Sequence, residues 1–104
     1  MDPAAAATWL HHYTLHAPPV LRERVLQHIA QVSSAGTVAD VLARASRFAL
    51  NLVAAHPEGG RSIALDLLAA DALITLALLA QSQVSPAGLE TFASDLLPVP
   101  VESL

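Results

Sequence analysis

The sequence predicts an all-α fold, an antiparallel bundle of four to five helices with the fourth, at about 61–82, central. Three observations carry this reading. The apolar 54% of the chain is mostly Ala, Leu and Val, with aromatics at only 4%, and Ala and Leu are strong helix formers. Apolar residues recur at helical rather than alternating spacing. Clear stop and start signals then divide the chain into five segments joined by short connections, which favour antiparallel neighbours.

The first segment is expected from about Pro3 to His16. Asp2 can cap it, with Pro3 at the first helical position. Trp9 and Tyr13 lie one turn apart, and Ala17-Pro18-Pro19 ends the helix because a residue before Pro is pushed out of the α region. The second, about Pro19 to Ser33, carries the stripe Leu21, Val25, Ile29 and Val32, widened by Leu26. Gly36 offers a C-cap after Ser33-Ser34-Ala35.

Thr37 and Asp40 form a Thr-x-x-Asp capping box for the third segment. Its apolar face is expected to be Val38, Val41, Leu42, Ala45, Phe48, Ala49 and Leu52. His56-Pro57-Glu58-Gly59-Gly60 breaks the chain. The fourth segment is apolar almost all round, the pattern of a buried helix. Asp71, Thr75 and Ser82 share one strip, with Asp66 on the far side. Ser85-Pro86 opens the fifth segment, where Glu90 favours the positive end of the helix dipole, and it ends near Leu97. One domain is expected over residues 1–97. The two prolines of the tail, 98–104, make an extended or disordered segment the expectation there.

Composition narrows the function. A net charge of −4, no Lys and only Arg22, Arg24, Arg44, Arg47 and Arg61 as strong bases leave no positive stripe for phosphates, which argues against nucleic-acid binding. Zero Cys excludes disulfides, thiolate metal sites and thiol catalysis, and fits the cytoplasm. The N-terminus lacks the pattern of a secretory signal. Within the fourth segment Asp66 and Asp71 would each cost about 3 kcal/mol near a bilayer centre, so no membrane span is expected.

His12 and His16, four apart, would share one face of a helix and resemble a two-histidine metal clamp. The residues between them, Tyr13-Thr14-Leu15, supply no Glu, and a third ligand would have to come from His28, His56 or a distant carboxylate. Gly59-Gly60-Arg61-Ser62 precedes a helix start, where free amides can hold an anion, but it lacks the Gly-Lys-Ser/Thr of a phosphate loop and reads as a turn capped by Ser62. No serine stands in a nucleophile-elbow pattern. No catalytic residue and no cofactor is therefore expected.

A mean hydropathy of +0.51 is high for a small soluble monomer, and implies either a helix buried on all sides or apolar surface covered by a partner. The expected function is a small non-enzymatic interaction module, acting as a homo-oligomer or as an accessory subunit of a larger complex. The alternative is a metal- or haem-binding bundle using His12 and His16. The sequence also predicts that Leu42, Phe48, Leu52, Leu67 and Ile74 are almost fully buried. A tight third-to-fourth hairpin sets Arg47 level with Asp71 and Asn51 level with Asp66. An Arg47–Asp71 ion pair, with Arg44 as fallback, and an Asn51–Asp66 hydrogen bond are the pairings this register predicts.

Overall fold

A computed structural model describes residues 3–96, with side chains described from Thr8 onward. The segment 97–104, where the extended or disordered tail is expected, lies outside the described residues, as does Asp2. Five α-helices follow in order: α1 (Pro3–Tyr13), α2 (Pro19–Ala30), α3 (Val38–Ala54), α4 (Arg61–Val84) and α5 (Leu89–Leu96). No strand occurs among the described residues. The molecule measures 38 × 37 × 24 Å, about two helix diameters thick. α4 packs most heavily on α3, and also on α2 and α5.

Local signals set the helix ends. α1 stops at Tyr13, a turn earlier than expected. Thr14 directs both its amide (3.0 Å) and its hydroxyl (2.6 Å) to the Leu10 carbonyl. α2 stops at Ala30, not Ser33, and Gln31 rather than Gly36 is its C-cap. Gly36 instead adopts φ +93° immediately before the Thr37 cap of α3. The capping box forms as expected: Thr37 Oγ1 accepts from the Asp40 amide (3.2 Å), and Asp40 Oδ2 accepts from the Thr37 amide (3.0 Å). Arg44 donates to the carbonyls of Ser33 and Ala35, tying the α2–α3 link to α3.

α4 begins at Arg61 with Gly60 as its N-cap and no side-chain cap, so Ser62 does not play that part. Gly59 and Gly60, at φ +73° and +112°, make the left-handed turn that reverses the chain after α3. Pro86–Gly88 forms a 3-10 turn ahead of α5, which shortens the fifth helix to eight residues.

The centre of the bundle is an alanine seam. Ala39, Ala45 and Ala49 of α3 and Ala69, Ala70, Ala77 and Ala80 of α4 are all buried, around Leu42 and Leu73. Small side chains let helix axes approach toward the lower end of the usual 8–10 Å range. This close approach corrects the core expectation. Leu42 is buried, but Phe48, Leu52 and Ile74 are only partly so, and Leu67 stands 51% exposed. On α3 the expected face is largely the buried one, with Val41, Leu42, Ala45 and Ala49 all inside, but its edge at Phe48 and Leu52 is only partly covered and Ser46 lies inside instead. Ser46 is fully buried, its hydroxyl satisfied by the Ala43 carbonyl (2.7 Å).

Candidate functional site

Two features stand out from the bundle: a buried charged cluster between α2 and α4, and an apolar groove beside it. The cluster is built on Asp66. At 100° per residue Asp66 falls in the same arc of α4 as Ala69, Ala70, Leu73, Ala77 and Ala80, the side turned inward. It is 5% exposed. A carboxylate in that position needs partners, and α2 supplies two. Arg24 Nη1 donates to Asp66 Oδ1 at 2.6 Å, and His28 Nε2 lies 3.0 Å from the same oxygen. Arg24 and His28 are four apart and therefore share a helix face. Arg24 Nη1 also reaches the Ser62 carbonyl at 3.5 Å. The His28 ring packs at 59° to Phe48, with centroids 5.6 Å apart. A shallow cleft of about 270 Å³ opens onto the cluster between Gln27, Gln31 and Leu52.

Chemically, the cluster holds a carboxylate, an imidazole and a guanidinium, with no hydroxyl or thiol among the residues that line its cleft. Its geometry suits a lock. Two donors from α2 converge on one buried acceptor from α4, and no buried side-chain nitrogen or oxygen among the described residues is left without a partner.

These contacts correct the expected pairings. Asp66 meets Arg24 and His28 of α2, not Asn51, which is exposed. Arg47 does not pair with Asp71. Its Nη2 donates to the Asp95 carbonyl at 2.9 Å, holding α5 against α3. The fallback cation Arg44 is engaged on the α2–α3 link. The fault lies in azimuth rather than height. Arg47 and Asn51 point away from the seam on α3, and Asp71 points outward from α4. One sign of the true partner was present in the sequence: Arg24 and His28 interrupt the stripe that Leu21 and Val25 begin, and polar residues on a buried stripe need an acceptor across from them.

His11, His12 and His16 are exposed. His16 lies in the turn after α1, so the four-residue helical spacing on which the His12–His16 clamp depends is absent. Among the described residues no three His, Cys, Asp or Glu side chains stand close enough together to hold a metal ion.

The apolar groove, about 600 Å³, is lined by Val20, Arg24, Arg61, Ser62, Ala64, Leu65 and Leu68. Val20 is 62% exposed and Leu68 57% exposed, and Leu67, outside the groove on the neighbouring arc of α4, is 51% exposed. By length and composition α4 is apolar enough to cross a membrane, and 39% of that span is buried within the molecule. No protein-family model, curated protein or solved structure matches this chain.

Proposed function

We propose that the chain is a small non-enzymatic interaction module, a homo-oligomer or an accessory subunit, whose docking surface is the outer face of α4 with the start of α2. One observation carries this reading: Val20 and Leu68, each more than half exposed, line an apolar groove, and Leu67, 51% exposed, extends the apolar surface on the adjoining outer face of α4. Isolated apolar residues on a surface are ordinary, whereas a contiguous group around a concavity marks an interface. The apolar excess of α4 then has two parts, an inner arc that meets α3 and an outer arc that meets a partner. Asp66, tied to two donors of α2, and Asp71, in the middle of the outer arc, favour this over a membrane span. The absence of cysteine accords with action in the cytoplasm.

Oxidative footprinting of Leu67 and Leu68 tests the reading. In the purified protein at micromolar concentration, or after its return to an extract of its own cell, both are expected to be protected relative to the dilute chain. Full labelling under every condition would refute a docking role for this face.

A further inference from the structure

We infer that the occupant of this face is a second copy of the chain, joined through an antiparallel α4–α4 contact about a two-fold axis near position 66. The inference rests on the interaction-module reading and names its partner. Ala64, Leu67, Leu68, Asp71 and Thr75 are all exposed and fall within an arc of about 100° on α4. Arg61 is exposed at the edge of that arc, one turn before Ala64. Among the described residues neither the Arg61 guanidinium nor the Asp71 carboxylate has an ion-pair or hydrogen-bond partner.

These residues complement themselves in one register. When two α4 helices run antiparallel and cross at position 66, Arg61 of each copy stands level with Asp71 of the other. In that same register Leu68 of each copy stands level with Ala64 of the other. The small Ala64 side chain lines the groove together with Val20, Leu65 and Leu68, so a large side chain from one copy faces a small one, and the groove around it, in the other. A two-fold contact makes each pairing occur twice, giving two ion pairs that flank an aliphatic centre. The parallel arrangement in register would instead set Asp71 against Asp71 and Arg61 against Arg61, which like-charge repulsion disfavours. A lipid surface would have to accept Asp71 in the middle of its contact.

Sedimentation and light scattering of the full chain, with charge-swap variants, test the proposal. The parent is expected at twice 10.8 kDa at micromolar concentration. Arg61→Glu and Asp71→Arg should each raise the dimer Kd by roughly tenfold or more, and the two together should restore it to within about threefold. Both positions are exposed, so far-ultraviolet circular dichroism of each variant is expected to match the parent. The chain has no cysteine, so Thr75→Cys gives a unique site for a nitroxide label. Antiparallel helices crossing at 66 place the two labelled backbones roughly 28 Å apart, against about 10 Å for the parallel alternative.

A parent mass of 10.8 kDa at every concentration up to roughly 100 μM overturns the proposal. Protection of Leu67 and Leu68 in cell extract would then leave the interaction-module reading standing with a different protein as partner. A dimer with the short label distance, or one indifferent to both charge variants, also overturns it. So does flotation of the parent with phosphatidylcholine vesicles in place of dimerisation.

Discussion

Arg24→Ala should destabilise the bundle through the carboxylate it strands. Asp66 is 5% exposed and accepts on one oxygen from two donors of α2. Removing one partner of a fully buried ion pair costs about 3–5 kcal/mol. The Arg24 side chain is 24% exposed, and His28 remains in contact, so the loss should be nearer that of a charged hydrogen bond, about 1.5–3 kcal/mol. His28→Ala should cost about 3–5 kcal/mol, chiefly through the cavity left by an almost fully buried ring that packs on Phe48, since Arg24 stays on Asp66. In a domain of this size each kcal/mol moves Tm by roughly 4–8 °C. Urea unfolding at fixed protein concentration, with the double-mutant cycle Arg24→Ala and Asp66→Ala, isolates the pair. A coupling energy of about 1.5–3 kcal/mol is expected. Coupling below about 0.5 kcal/mol, the usual scatter of independent sites, would refute the lock between α2 and α4.

Three further outcomes follow from particular contacts. A Cβ at Gly36 would lie 2.6 Å from Asp40 Oδ2, in a backbone at φ +93°, whereas one at Gly59 would meet nothing within 4 Å. Gly36→Ala should therefore cost about 1–2 kcal/mol more than Gly59→Ala, through loss of the capping box. Comparable chemical-denaturation midpoints for the two would contradict this. Leu42→Ala and Leu73→Ala, at nearly inaccessible sites, should each cost about 2–5 kcal/mol. In dilute solution Leu67→Ala should change stability by about 0.5 kcal/mol or less, and calorimetry that ranks Leu67 with the other two would place it in the core. Zn²⁺ should bind no tighter than about micromolar, since the exposed His12 and His16 belong to different local structures. Stoichiometric zinc retained through chelator dialysis would revive the histidine site.

Much of this fold was legible because the relevant forces act between near neighbours in sequence. Proline at 18 and 19, the Thr37–Asp40 box, the two glycines at 59 and 60 and Pro86 each restrict backbone geometry where they stand. Helix number, order and the long fourth helix follow from such local chemistry. The tertiary structure decided which side of α4 is inside. α4 is apolar around most of its circumference, so periodicity could not select its inner arc. The polar strip of Asp71 and Thr75 in fact marks the outer side, and the lone buried carboxylate the inner. Alanine was legible as a helix former, but its part as a seam depends on two helices separated in the chain coming close together. That approach leaves room for methyl groups and turns Leu67 and Leu68 outward. The partners of Asp66 were settled in the same way. Height along a hairpin can be counted from its turn, but whether two side chains meet depends on the rotation of each helix about its axis. That rotation is fixed by the packing of the whole bundle, here by α2 bringing Arg24 and His28 onto α4.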